Sequence, residues 1–237
     1  MFHIYRYGFN SSGHQSVFEN LSKLKNKSII IGLNLGKNKE TKSHVDDYIE
    51  GLRKFATCPN VDYFVINISS PNTPGLRDIQ KKKDLDAFID KILAEKSELN
   101  ISKPIFVKIS PDLTDQERQD VADILLKSRK YRYKIDGLIV SNTTTQRNFN
   151  LSDANFSEVG GLSGQPLKSL STQCIKDMYR LTKGRMPIIG VGGISNELDV
   201  LEKIEAGASV VQLYTSLTYK GPTLIRNIVN NLSSLVE

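Results

Sequence analysis

Polar side chains follow several short apolar runs in this sequence, at the points where predicted strands end. Asn34 ends the first run, Asn67 and Ser70 follow the second, Lys108 lies within the third, and residues 141–143 (Ser-Asn-Thr) end the fourth. Carboxamide groups donate and accept hydrogen bonds at the same time, and hydroxyl groups do so too. If these strand ends meet at one edge of a sheet, the set would suit a flat, polar heterocycle.

Lys108 is the least ordinary of these residues, because apolar side chains flank it in the run 105–109 (IFVKI). A buried ammonium group is costly unless an anion lies close to it. One interpretation is a structural lysine with a partner in the core or at the mouth of the fold. The other is a cation beside a cofactor that gains negative charge on reduction, as a flavin does.

Glycines late in the sequence favour a phosphate site. Gly192 and Gly193 follow one predicted strand, and the next predicted strand ends near Tyr214 and Thr215. Backbone N–H groups at the start of a helix, together with a hydroxyl group, are typical donors to phosphate. An earlier segment, 160–164 (GGLSG), predicts a flexible flap followed by glycines that act as backbone donors.

Alternating strands and helices must position these residues. Six runs read as nearly continuous apolar segments, which is typical of parallel strands buried on both faces. The runs are 29–36, 61–69, 104–110, 136–142, 187–193 and 209–216. Helices are predicted at 41–55, 85–99, 172–182, 197–206 and 223–236, and a further one starts at the capping box 114–117 (TDQE).

Repeated strand–helix units imply right-handed crossovers and a parallel sheet. A doubly wound dinucleotide fold would carry its glycine-rich turn after the first strand. Here the glycine-rich turns follow late strands, as in barrels that bind phosphate after strands seven and eight. We therefore predict a (β/α)8 TIM barrel, forming a single domain over residues 1–237. Six strands are too few for closure, so the first two strands are predicted to be missing unless another segment fills the gap.

Composition argues against several other classes of protein. The formal net charge is +6, but the basic residues are spread along the chain and accompany no nucleic-acid-binding motif. Cys58 and Cys174 belong to no C-x-x-C pair, which indicates free thiols and a reducing compartment. The histidines lack partners at metal-ligand spacing, and no apolar run reaches transmembrane length. We predict no metal site and no nucleic-acid partner.

Seven segments together resemble the dihydroorotate dehydrogenase family. They are RYGFNSSG (6–13), LNLGKNK (33–39), INISSPNTPGLR (66–77), VKISPDLTDQE (107–117), DGLIVSNTTTQR (136–147), EVGGLSGQPLKSLST (158–172), and PIIGVGGISN with EKIEAGASVVQLYTSLTYKGP (187–221). The resemblance implies oxidation of (S)-dihydroorotate to orotate in de novo pyrimidine (UMP) biosynthesis. It also implies a barrel of the FMN-linked oxidoreductase type, in which tightly bound FMN takes a hydride from C6 while a base removes the C5 proton. Quinone-linked members have serine in the segment SSPNT and soluble members have cysteine, so Ser70 implies the quinone-linked class and is the expected base.

The resemblance also implies binding roles for residues that match the family motifs. FMN would be held by Asn34, Asn67, Lys108, Ser141, Ser163, Gly164, Gly192, Gly193, Tyr214 and Thr215, the last four around its phosphate. The substrate would be held by Tyr7, Gly8, Phe9, Asn67, Asn72, Asn142 and Thr143.

The chain also departs from the family pattern. Family members have an earlier barrel segment with a flavin-contacting lysine, a helical pair that forms the quinone tunnel and usually a membrane or targeting segment, none of which is found here. Tyr5 replaces the family's asparagine before RYGFN. The family implies a quinone partner and a place on the mitochondrial inner membrane, through the missing N-terminal segment. Two alternatives stay open: a truncated, inactive form of this enzyme, and a different phosphate-binding flavin barrel.

Overall fold

The structure is a computed structural model that describes residues 1–25, 28–73, 75–128, 132–147 and 158–236. Its main sheet consists of six parallel strands. In spatial order they are β2 (Gly32–Leu35), β3 (Tyr63–Asn67), β4 (Ile105–Ile109), β5 (Gly137–Val140), β7 (Ile188–Val191) and β8 (Val210–Gln212). A separate antiparallel pair is formed by β1 (Phe2–Tyr5) and β6 (Gly161–Gly164).

Helices connect the parallel strands and begin where the sequence provides caps. They are α1 (His14–Ser22), α2 (Asp46–Phe55), α3 (Lys82–Glu98), α4 (Asp115–Ser128), α5 (Lys168–Leu181), α6 (Glu197–Glu205), α7 (Thr215–Lys220) and α8 (Thr223–Val236), with short 3-10 helices at Leu76–Gln80 and Gln165–Leu167. The predicted capping box is confirmed at α4. The Thr114 hydroxyl accepts from the Glu117 N–H at 3.3 Å, and the Glu117 carboxylate accepts from the Thr114 N–H at 2.8 Å.

This sheet is an incomplete (β/α)8 barrel, as predicted. All six strands run parallel in one sheet, and among the described strands β2 and β8 each have a single neighbour. No other described segment fills the gap between these two edges, because β1 and β6 form a separate sheet and β6 has only an isolated bridge, from Leu162 to Thr144, beyond it.

The two faces of the sheet have different roles. A large apolar core lies between the strands and the surrounding helices, and it includes both free cysteines, Cys58 and Cys174. A smaller cluster on the opposite face is built around Val65, Ile139 and Ile189. Side chains in a strand alternate between faces, so a residue two positions further on lies on the same side. This face therefore carries an apolar layer with a polar layer above it at the carboxyl ends of the strands.

The prediction of a flap at 160–164 is wrong for its last four residues. Gly161–Gly164 form the buried strand β6, because these glycines allow an unusually close approach to their neighbours. A β-carbon on Gly161 would lie 1.9 Å from the Thr143 hydroxyl oxygen, and one on Gly164 would lie 2.5 Å from the Met1 carbonyl oxygen. The helices α1 and α7 were also not predicted. Part of the INISSPNTPGLR segment, residue 74, lies outside the described residues.

Candidate active site at the carboxyl ends of the strands

A cavity of about 660 Å³ lies at the carboxyl ends of the parallel strands. Every residue for which the sequence predicted a site role lines it. These are Tyr7, Gly8, Phe9, Asn34, Asn67, Ser70, Asn72, Lys108, Ser141, Asn142, Thr143, Ser163, Gly164, Gly192, Gly193, Tyr214 and Thr215. Their individual roles remain predictions, but segments far apart in the sequence do converge on one space.

Carboxamide side chains on one wall hold each other in fixed orientations. Asn67 donates through Nδ2 to Asn34 Oδ1 at 3.2 Å, and its Oδ1 accepts from Asn142 Nδ2 at 3.2 Å. The fully buried Ser69 hydroxyl accepts from Asn142 Nδ2 at 3.0 Å and donates to the Lys108 carbonyl oxygen at 2.8 Å. Asn142 Oδ1 in turn accepts from the Thr143 N–H at 2.8 Å. The amides are thus oriented before any ligand binds, which limits the entropy that binding must remove.

Lys108 lies in this polar layer, and none of the described residues provides it with a counter-ion. Its side chain follows the apolar Phe106 on the same face and reaches the cavity. Burial lowers the pKa of its ammonium group. Within the described part of the chain it forms no hydrogen bond or ion pair, so the structural interpretation of a partnered lysine loses its support. A cation in this position favours a ligand that brings negative charge.

Ser70 is 6% exposed and lies in the turn that follows β3. Its Oγ accepts a hydrogen bond from the Asn72 N–H at 3.3 Å. The hydroxyl hydrogen is not donated to any group among the described residues. Ser70 therefore has an oriented oxygen facing the cavity and a proton that it can pass on.

Glycines and hydroxyls form the opposite end of the cavity. Gly164, Gly192 and Gly193 have φ values of +87°, +128° and +76°, a region that L side chains rarely adopt. The Ser163 and Thr215 hydroxyls are hydrogen-bonded at 2.8 Å, and Thr215 begins α7. At this end of the cavity a ligand can reach the backbone of the glycines and two hydroxyl groups rather than charged side chains, which is typical of a phosphate site.

Gln165 supports this end from behind, and the sequence analysis assigned it no role. Its Nε2 donates to the Gly193 carbonyl oxygen at 2.8 Å and to Ser195 Oγ at 2.6 Å. Asp199 accepts from the Ser195 N–H at 2.8 Å and from Lys168 Nζ at 2.9 Å. A trans peptide directs its C=O and its N–H to opposite sides. The hydrogen bond from Gln165 to the Gly193 carbonyl oxygen therefore points the Ile194 N–H of the same peptide away from Gln165.

Tyr5, where the family resemblance predicts asparagine, lines the cavity. Its ring packs edge-on against Tyr214, with ring centroids 5.2 Å apart. Burial raises the pKa of its phenol. Its backbone oxygen accepts from Asn72 Nδ2 at 3.0 Å, which engages one of the amides predicted to bind substrate. Tyr5 therefore adds an aromatic contact on the Tyr214 side of the cavity.

Comparisons with known proteins agree on one family. A sequence profile of the family described as dihydroorotate dehydrogenase matches residues 3–236. The mitochondrial dihydroorotate dehydrogenase (quinone) of Mus musculus is 46% identical over 99% of this chain and 60% of its own length. The dihydroorotate dehydrogenase (quinone) of Parvibaculum lavamentivorans is 45% identical over 98% of this chain and 64% of its own length. The chain thus spans less than two thirds of these curated relatives.

Solved structures of similar fold come from Eimeria tenella. The crystal structure of DHODH in complex with ferulenol superimposes with a TM-score of 0.90 at 38% identity, and covers 99% of this chain and 68% of its own. The ligand-free crystal form superimposes with a TM-score of 0.89 at 39% identity, and covers 99% of this chain and 70% of its own. Nearly the whole chain therefore has the fold of these proteins.

Proposed function

Because the chain belongs to the dihydroorotate dehydrogenase family, we propose that it carries the flavin and substrate site of a dihydroorotate:quinone oxidoreductase. The proposed reaction is the FMN-dependent oxidation of (S)-dihydroorotate to orotate in de novo pyrimidine biosynthesis, with a quinone as electron acceptor. One observation carries the proposal: Ser70, Lys108 and Gly193, which come from three separate strand ends, line one cavity.

The residues at both ends of this cavity fit FMN. About 660 Å³ lies within the range of roughly 300–1,000 Å³ that ligand pockets occupy. Lys108 offers a cation that has no partner among the described residues, and Gly164, Gly192 and Gly193 leave room for a phosphate group against the backbone. When bound, FMN would supply the acceptor for the hydride that leaves C6 of dihydroorotate. Lys108 would stabilise the negative charge that this transfer adds to the isoalloxazine ring.

Ser70 is the proposed base for the C5 proton of dihydroorotate. A serine hydroxyl is a weak base at neutral pH, so it must release its own proton to a relay or to water as the C–H bond breaks. The hydrogen bond from the Asn72 N–H orients the Ser70 oxygen, and that hydroxyl's own proton is left available for release.

The amide network is the proposed binding surface for the orotate ring. Asn67, Asn142 and Thr143 present donors and acceptors in orientations already fixed by their mutual hydrogen bonds. A ring that carries alternating carbonyl and N–H groups matches such a surface. Tyr7, Gly8 and Phe9 line the adjoining wall and would cover the substrate.

The proposed setting is the mitochondrial inner membrane, in contact with quinone. The mouse relative is named mitochondrial, and the relatives are named as quinone enzymes. Across the described ranges, no helix combines the length and apolar character needed to cross a bilayer. We propose that contact with the membrane is made by the N-terminal segment that the family resemblance implies.

Visible spectroscopy of the purified 237-residue chain tests the proposal. We expect a bound yellow flavin that loses its absorbance when dihydroorotate is added without oxygen. Ser70→Ala should retain the flavin and lose this reduction. A chain that binds no FMN would support the alternative of an inactive, truncated form. A Ser70→Ala chain reduced at the normal rate would remove Ser70 as the base.

A further inference from the structure

Arg77 joins two loops that carry residues of the cavity. It lies in the 3-10 helix Leu76–Gln80, its side chain is 25% exposed, and it does not itself line the cavity. Its Nε donates to the Ser69 carbonyl oxygen at 3.2 Å, and its Nη2 donates to the Thr143 carbonyl oxygen at 3.0 Å. One planar guanidinium group therefore spans from the loop after β3 to the loop after β5.

Asp112 extends this arrangement to the loop after β4. Its carboxylate is 14% exposed and accepts from Arg77 Nη1 at 2.8 Å. It also accepts from the Thr145 N–H at 2.9 Å and from the Thr144 hydroxyl. The loops at the carboxyl ends of three neighbouring strands are thus connected through one ion pair.

These contacts lie next to the groups proposed to react. The Ser69 carbonyl belongs to the peptide unit that contains the Ser70 nitrogen, so a hydrogen bond to that oxygen restrains the backbone of the proposed base. The Thr143 carbonyl lies in the segment that carries Asn142, one of the proposed substrate amides. Misplacement of a reacting group by about 1 Å can lower a rate by roughly 100-fold.

We propose that Arg77, oriented by Asp112, is a positioning residue for proton abstraction. It holds the loop of Ser70 and the loop of Asn142 at the spacing that the reaction requires. This inference rests on the proposed function. Arginine suits the task because its planar group donates in several fixed directions at once, whereas lysine offers a single compact charge on a flexible stem.

The matched test compares Arg77→Lys with Arg53→Lys. Arg53 forms a comparable two-bond ion pair with Glu95, at 2.6 and 2.9 Å, but it joins α2 to α3 on the outer layer. Both substitutions keep the positive charge and remove the planar group. Only the first changes the connection between the loops of the site.

Flavin reduction by dihydroorotate is measured by rapid mixing in the FMN-loaded chain. In Arg77→Lys we expect stoichiometric FMN, nearly unchanged dihydroorotate affinity and a reduction rate lowered roughly 10- to 100-fold. Deuterium at C5 should slow this variant more than it slows wild type, because proton abstraction becomes the slower step. Arg53→Lys should match wild type in all three respects. A wild-type rate in Arg77→Lys, or a lower rate that only follows lost FMN, would overturn the proposal.

Two further measurements separate failure of this inference from failure of the proposed function. If Arg77→Lys does not fold, Asp112→Asn is judged by the same rate and isotope criteria. If the flavin of the wild-type chain is not reduced by dihydroorotate, the proposed function fails. Hydrogen exchange then decides whether Arg77 connects the two loops. Faster exchange of the Asn72 and Thr145 amides in Arg77→Lys, but not in Arg53→Lys, supports the connection between the loops. Unchanged exchange of both amides rejects it.

Discussion

Replacing Gly193 by alanine should weaken FMN binding as well as the fold. Gly193 has a φ of +76°, and an added β-carbon would lie 2.5 Å from Lys168 Cβ, 2.6 Å from its Cα and 2.8 Å from its nitrogen. These neighbours are the backbone and first side-chain atom at the start of α5, so they cannot rotate out of the way. Either the Gly193 turn or the start of α5 must move.

Gly221 provides the matched control for this substitution. Its φ is +73°, but beyond its two chain neighbours no atom of the described residues would lie within 4 Å of an added β-carbon. A left-handed conformation costs a non-glycine residue about 1–2 kcal/mol, and the stiffer unfolded chain returns about 0.4–1 kcal/mol. Gly221→Ala should therefore lose about 1 kcal/mol of unfolding free energy. Gly193→Ala carries in addition the overpacking of α5, which typically costs about 1–3 kcal/mol.

Titration of FMN into the apo-protein, followed by flavin fluorescence, gives the decisive comparison. We expect Gly221→Ala to bind FMN as wild type does. Gly193→Ala should bind at least about tenfold more weakly, which corresponds to about 1.4 kcal/mol. Urea unfolding of both apo-variants separates this loss from general instability. Equal FMN affinities in the two variants would refute the assignment of the Gly193 turn to the phosphate site.

Two lysines give further predictions. Lys108→Met should make the bound flavin harder to reduce, because no cation then stabilises the negative charge that reduction adds to the flavin ring. An unchanged reduction potential in a spectroelectrochemical titration would contradict this. Lys203 is fully buried, and burial lowers its pKa from 10.5 to about 8. The folded state therefore releases this proton before the unfolded state does. Relative to Lys203→Met, wild type should gain up to about 3 kcal/mol between pH 8 and pH 10.5 in urea unfolding, and parallel pH profiles would refute this.

The parallel sheet could be predicted from the sequence, whereas the small second sheet could not. Each of the six apolar runs contains one observed strand, because strands buried on both faces require such runs. β1 and β6 gave no comparable signal. β6 contains two glycines, which are depleted in strands. Its partner β1 lies near the start of the sequence, far from β6 along the chain. Only the packed fold brings Tyr5 opposite Gly161.

The polar ring of the site could also be predicted, because its members follow strand ends that parallel packing must bring together. The supporting residues could not. Arg77 lies in a short 3-10 helix and Asp112 in a loop, and their partners are as much as 68 positions away in the sequence. Gln165 acts on a glycine 28 positions further on. A loop arginine or glutamine in isolation has no sequence pattern that distinguishes such a role from simple exposure to solvent.

Most of the hydrogen bonds that orient the site lie away from the open edges of the sheet, although Asn67 also donates to Asn34 of the edge strand β2. The amide network and the Arg77–Asp112 pair connect β3, β4 and β5, which have neighbours on both sides. The edge strand β2 contributes Asn34, which is exposed. The segment after the edge strand β8 contributes Tyr214, which is 61% exposed. Unpaired edges lower the stability of the strands that carry them. The amide network proposed to bind substrate should therefore keep its geometry in this chain, and any weakness should affect first the groups proposed to contact FMN from β2 and beyond β8.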